Sequence, residues 1–164
     1  MVAQPKAQPA DNLLPGGGFL LESASSRDIF TAERLSDDQR AFYRTAADFV
    51  EKEIVPLHKD IEAKKDGLMP QLLRRAGELG LHMIDIPERF GGLGLDKTTS
   101  CLVSEALAKQ GSFSVALGAH NGIGMLPLVF FGSDALKKEW LPKFATAEVI
   151  GAYALTEPGS GSDA

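Results

Sequence analysis

The residues best placed to do chemistry lie together in LTEPGSGSD at 155–163, which follows the apolar run VIGAYAL at 149–155. Thr156, Ser160 and Ser162 offer hydroxyls, Glu157 and Asp163 offer carboxylates, and Gly159 and Gly161 let a neighbour come close to the backbone. On composition alone this is a strand leaving through a turn capped by Ser and Asp. The run itself, with Val149, Ile150, Ala152, Tyr153 and Leu155, has the near-continuous apolar pattern of a buried strand. No second strand of comparable quality precedes it, so its backbone N–H and C=O groups lack a ladder partner. The expectation is therefore of truncation: a helical domain, then the first strand of a β domain whose remainder is missing.

Other reactive side chains carry less. Cys101 cannot form an internal disulfide, and as a nucleophile it would need an activating base; a small buried hydrophobe in a helix is the expectation. His58, His82 and His120 are too far apart in sequence to suggest a metal cluster, and His120 reads as a hydrogen-bonded core histidine with no catalytic role. IPERFGGLGLD at 86–96 lacks the G-x-G-x-x-G spacing of a phosphate cradle, so it reads as a turn that demands positive φ at glycine. A net charge of -5, from 22 acidic against 17 basic residues, leaves no basic stripe for nucleic acid. One cysteine in 164 residues fits a reducing compartment.

The elements that must position the motif are helical. Ser36 and Gln39 make a capping box, followed at helical spacing by Phe42, Ala46, Phe49, Val50 and Ile54; Pro56 kinks or ends that helix, with a short continuation past Leu57 and Ile61. A second helix starts near Pro70, turns Leu72, Leu73, Ala76 and Leu79 to one face and stops at Gly80. A third runs from about Lys97 to Lys109 with Leu102, Val103, Ala106 and Leu107 inward. The stretch from Gly111 to Gly132 has no Asp, Glu, Lys or Arg. Its glycines, His120, Asn121 and Pro127 weigh against a membrane span, so it reads as the central helix of a bundle, with Gly118 and Gly122 admitting a neighbour. In a fifth helix Ser133 is the cap, Leu136, Trp140, Leu141 and Phe144 point inward, and Lys137, Lys138 and Glu139 point outward. Before all of these, MVAQPKAQPADNLLPGGGFLLE carries no export or transit signal and reads as a disordered tail to about Gly18, with Phe19, Leu20 and Leu21 docking on a neighbouring surface.

Taken in succession, these pieces resemble a known family. LTEPGSGSD closely resembles the first signature of the acyl-CoA dehydrogenases, flavoenzymes that desaturate fatty acyl-CoA thioesters between the α and β carbons. IPERFGGLGL, LGAHNGIG and FGSDALKKEWLPKFAT look, in that order, like the amino-terminal half of the family, and GGGFLLE does so more weakly. The similarity covers 36–164 and is greatest with the long-chain and very-long-chain branch. It implies an all-α fold: a flexible tail at 1–35, the helical bundle of that family at 36–147, and the start of the truncated middle β domain at 148–164.

The resemblance also implies a cofactor, FAD. A flavin gains negative charge along its pyrimidine edge and N5 on reduction, so it needs hydrogen-bond donors there and an apolar wall on one face. By resemblance Tyr153, Leu155 and Thr156 line the flavin, while Gly161 and Ser162 turn N–H and hydroxyl donors toward cofactor or acyl-CoA, Ser162 being the substrate-binding residue. Glu157 is the tempting general base. In the family the base comes from a carboxyl-terminal helical domain, so no catalytic residue is assigned within 1–164 and the chain is expected to be incomplete and inactive alone.

The implied reaction is loss of the α proton with hydride transfer to the flavin, then reoxidation through an electron-transferring flavoprotein. The implied setting is a homo-oligomer when complete, in bacterial cytoplasm or, for a eukaryotic chain, in mitochondria. Two readings of other kinds stay open beside it: a non-catalytic helical interaction module, and part of an acyl-CoA oxidase that uses oxygen directly.

Overall fold

The computed structural model describes residues 29–163, together with 14, 17–21 and 23. Seven α-helices occur among them: α1 (Asp37–Phe49), α2 (His58–Glu62), α3 (Leu68–Glu78), α4 (Lys97–Leu107), α5 (Gly111–Gly118), α6 (Leu126–Phe131) and α7 (Asp134–Ala145). Wider π-helical turns, Val50–Ile54 and Ala119–Gly124, extend α1 and join α5 to α6. The all-α expectation stands. Most of the tail at 1–35 lies outside the described residues; Phe19, Leu20 and Leu21, which are described, are exposed rather than docked.

The predicted capping box is formed. Gln39 N–H donates to Ser36 Oγ at 3.1 Å, and Ser36 N–H donates to Gln39 Oε1 at 2.9 Å. The same Gln39 donates from Nε2 to Asp96 Oδ2 at 2.8 Å, and Asp96 in turn caps α4 by accepting from Thr99 N–H. The starts of α1 and α4 are thus tied to each other as well as capped, a contact between residues 57 positions apart. Along α1 and its extension Ala46, Phe49, Val50 and Ile54 are buried as the spacing required. They pack with Leu72, Leu73 and Ala76 of α3, Val103, Ala106 and Leu107 of α4, and Phe113 and Leu117 of α5 into the main core. A second cluster joins Ile86, Phe90, Met125, Val129, Leu141 and Ala145. Pro56 sits in a 3-10 turn, Val55–Leu57, where the helix is re-wound, the break that its missing N–H demands.

Four expectations need correction. Cys101 is exposed: on α4 the inward face is Thr99, Val103, Ala106 and Leu107, and residue 101 falls on the opposite side of the helical wheel. On α7 Leu136 is 46 % exposed while Lys137 is 6 % exposed, because the helix turns 137, 141 and 145 toward the second cluster. Lys137 is accommodated by laying its stem inward with Nζ 6.0 Å from the centre of the Phe90 ring. The helix Gly111–Phe131 is long and apolar enough to cross a membrane by length and composition, but it is not buried all round. Phe113, Leu117, His120, Met125 and Val129 face in, whereas Val115, Ile123 and Phe131 face out. Gly118 and Gly122 receive no neighbour either, since a Cβ at either would meet nothing within 4 Å. Fourth, residues 149–155 are no buried strand. They leave α7 without a ladder among the described residues, and Tyr153 and Leu155 are each about half exposed.

The glycines that pack closely are others. In the loop after α3, Gly80, Gly91 and Gly94 have positive φ, as the turn reading required. Gly92 is fixed by space instead: a Cβ there would lie 2.0 Å from the carbonyl oxygen of Ile86, inside a loop held by Leu93 N–H on Met83 O and Gly94 N–H on Ile86 O, both at 2.8 Å. Gly92→Ala is expected to lower stability by about 2–4 kcal/mol. Gly118→Ala, into open space within a helix, should be neutral or add up to about 1 kcal/mol. Thermal melts of the two variants beside the parent check the contrast.

Candidate functional site

The motif emerges from the end of α7. Ala147 N–H returns to Phe144 O at 3.0 Å, Ala147 takes a φ of 52°, and Val149 N–H reaches Lys143 O at 3.3 Å, so the helix is closed and the chain turned out. At this exit the backbone packs against other backbone. A Cβ on Gly77 would come within 3.0 Å of Thr146, and one on Gly124 within 2.8 Å of Gly151. Gly151 N–H then donates to His120 Nδ1 at 2.9 Å. Beyond that point residues 152–156 hydrogen-bond no other described residue.

The turn that follows is closed on itself, with Glu157 N–H on Ser160 O at 2.9 Å and Ser160 N–H on Glu157 O at 3.1 Å. Gly159 lies outside the positive-φ set and nothing stands within 4 Å of where its Cβ would be; the same is true of Gly161. Their smallness leaves open space over the turn. Gly161 N–H donates to Asp163 Oδ1 at 3.0 Å. Of the five residues expected to bind a cofactor, Tyr153, Leu155 and Thr156 share one exposed segment outside any helix, and Gly161 and Ser162 sit on the turn after it. Glu157 is exposed in the turn.

What holds the segment is a pair of buried histidines that sequence reading identified only in part. His120 Nε2 donates to Phe144 O at 3.0 Å, which leaves Nδ1 as the acceptor for Gly151, and its ring stacks on Phe144. His82, in the turn after α3, stands edge to face with His120 at 4.4 Å between centres. Its Nε2 faces Leu73 O at 2.8 Å and its Nδ1 faces Asn121 Oδ1 at 2.6 Å, with the Asn121 amide oriented by its own N–H on Leu81 O. Burial pushes His120 down to about 4, and the neighbouring His82 pushes the same way. His82 is also lowered, by burial, against the opposing pull of its two acceptors. The sequence signalled a core histidine at 120, but not its partner: the contact spans 31 positions and depends on how α7 ends.

Residues 36–148 match the profile of the acyl-CoA dehydrogenase N-terminal domain. The chain belongs to the acyl-CoA dehydrogenase family. It is 48% identical over 158 residues to a probable acyl-CoA dehydrogenase of Bacillus subtilis (strain 168), a match spanning 96% of this chain and 27% of that protein. It is 32% identical over 160 residues to the mitochondrial short-chain specific acyl-CoA dehydrogenase of Rattus norvegicus, over 93% of this chain and 38% of that one. Among solved structures it superimposes on an acyl-CoA dehydrogenase of Bacillus anthracis complexed with FAD, with a TM-score of 0.84 and 44% identity, covering 92% of this chain and 26% of the other. The chain therefore spans roughly a quarter to two-fifths of the length of these relatives.

For this family member the histidine pair sets a pH dependence. In the folded chain His120 binds a proton only near pH 4, whereas unfolded it does so near the ordinary 6.5, so its stabilisation is complete above 6.5 and is lost as pH falls from there toward 4. The groups facing its ring are His82, Phe144 O and Gly151 N–H, none of them a carboxylate that would offset the change. Glu62, lowered by hydrogen bonds from Ser112 and Gln110, adds loss of the same sign at the acid end. Melting temperature is expected to fall between pH 6.5 and 4, and less steeply in His120→Asn; equal slopes would remove His120 from the account.

Proposed function

We propose that this chain supplies the amino-terminal helical domain, 36–147, and the first part of the cofactor-binding β domain, 148–164, of an FAD-dependent acyl-CoA dehydrogenase. The observation that carries the reading is the state of residues 152–156: backbone donors and acceptors without partners among the described residues, beside exposed Tyr153 and Leu155 and a turn open above Gly159 and Gly161. An apolar wall next to free N–H donors is what a flavin ring needs. When bound, the flavin would supply acceptance of the hydride lost from the acyl β carbon. The chain's own part is to hold and orient: Tyr153 and Leu155 give apolar contact, and Thr156 gives N–H and hydroxyl donors. Gly161 exchanges its internal Asp163 acceptor for an external one, and Ser162 offers its hydroxyl to the acyl-CoA. The base that removes the α proton lies outside residues 1–164.

The proposed substrate is a fatty acyl-CoA and the proposed electron acceptor an electron-transferring flavoprotein, in a homo-oligomer. The motif resemblance is greatest with the long-chain and very-long-chain branch, while the rat relative is named as short-chain specific, so the acyl chain length is left to the test. A bacterial source would place the enzyme in the cytoplasm, a eukaryotic one in mitochondria.

The test is to replace the matching amino-terminal part of the FAD-bound Bacillus anthracis relative with residues 36–164 of this chain. The folded chimera should purify yellow and bleach on anaerobic addition of acyl-CoA, and butyryl-CoA against palmitoyl-CoA ranks the chain lengths. Thr156→Val should weaken FAD binding by about 1–2 kcal/mol, the worth of one hydrogen bond to a polar ligand. A chimera with native circular dichroism but no flavin would defeat the proposal, and rapid peroxide formation in air would favour the oxidase.

A further inference from the structure

We infer that His120 is a positioning residue for the flavin-facing segment, an inference that rests on the reading of residues 153–156 just given. Gly151 N–H is the last backbone donor before that segment with an acceptor in the helical body, and the acceptor is a side chain, His120 Nδ1 at 2.9 Å. The residues that follow carry no further tie to the described structure until the closed turn at Glu157 and Ser160. A chain advances at most about 3.3 Å per residue, so the arm from Gly151 to Thr156 is up to roughly 16 Å long. A change of about 20° in direction at Gly151 would displace Thr156 by up to roughly 5 Å, and even a shift of about 1 Å is more than a hydrogen bond to a ring can absorb.

The ring that aims the arm is itself fixed on every side. His120 Nε2–H is held by Phe144 O, one face stacks on Phe144, and His82 closes on it at 4.4 Å. Two of these restraints, the Phe144 carbonyl and the Phe144 ring, belong to the last turn of α7, the element from which the arm departs. Gly151 cannot be exchanged for a larger residue, because a Cβ there would lie 2.7 Å from Phe144 Cε1 and 3.2 Å from Gly124 Cα. A buried imidazole kept neutral, with its proton on Nε2, thus converts the end of a helix into a direction for the chain. The role is to orient: His120 is fully buried and acts through the Gly151 amide.

Two near-isosteric substitutions separate the ring's two nitrogens. In His120→Asn the side-chain amide reaches the place of Nδ1 and can accept from Gly151. In His120→Gln the terminal N–H reaches the place of Nε2 and can donate to Phe144 O, but nothing accepts from Gly151. Amide hydrogen exchange at residue 151 in the 164-residue chain, and FAD affinity in the chimera, are measured for both. Exchange at 151 is expected to quicken about tenfold in His120→Gln and by less than about twofold in His120→Asn. FAD binding should weaken about fivefold in His120→Gln alone, with equal melting temperatures in the two variants. If exchange at 151 is the same in both variants, the positioning role is wrong whatever happens to FAD. If exchange separates them but FAD affinity does not, the tie is real and the flavin reading of the segment falls, taking this inference with it.

Discussion

A backbone donor that leaves the helical body must find an acceptor, and at Gly151 that acceptor is one imidazole nitrogen. Much of the local structure follows from keeping that nitrogen free. The other nitrogen of His120 must be occupied, which the Phe144 carbonyl does; the ring must stay neutral, which burial and the neighbouring His82 ensure. His82 in its turn stands between two acceptors, Leu73 O and the Oδ1 of an Asn121 amide pinned on Leu81, and as a neutral ring donates to one of them. Both His120 and Asn121 reach the interior because the helix widens into a π-turn over Ala119–Gly124, which brings adjacent side chains nearer to one face. Among the described residues no buried side-chain nitrogen or oxygen is left without a partner. The network is complete, and it stops at Gly151.

The contrast between the two parts of the chain is therefore chemical. The helices satisfy their backbone internally, and their caps, from Ser36, Asp96, Gln110 and Ser133, close the ends by local side-chain bonds. The segment at 152–156 satisfies nothing internally and holds its apolar side chains out. A body with closed bookkeeping carrying an arm with open valences is an arrangement suited to binding. The glycines at 124 and 151 explain how the arm can leave so close to the body.

Legibility in the sequence followed the range of the interaction. The capping box at Ser36 and Gln39, the break at Pro56 and the left-handed stop at Gly80 are local, set within four residues, and all are found as read. Errors came where a helix had more than one apolar face to offer. On α7 Leu136 and Lys137 exchanged roles because the second cluster lies nearer the side carrying 137, 141 and 145, and a lysine stem can cover apolar surface as leucine does. Cys101 faces solvent for the same reason, and the charge-free stretch after Lys109, expected at the centre of the bundle, turns Val115, Ile123 and Phe131 outward.

By itself the sequence determined the helical class, the cap and turn positions and the family motif with its small, donor-rich residues, because periodicity, capping and turn chemistry act over a few neighbouring residues. Only the tertiary structure decided which face each helix buries, which glycines are needed for space, and that His120 meets Gly151. Those depend on surfaces brought together across 24 to 40 positions of chain, and no local pattern encodes which backbone amide will arrive at a given ring nitrogen.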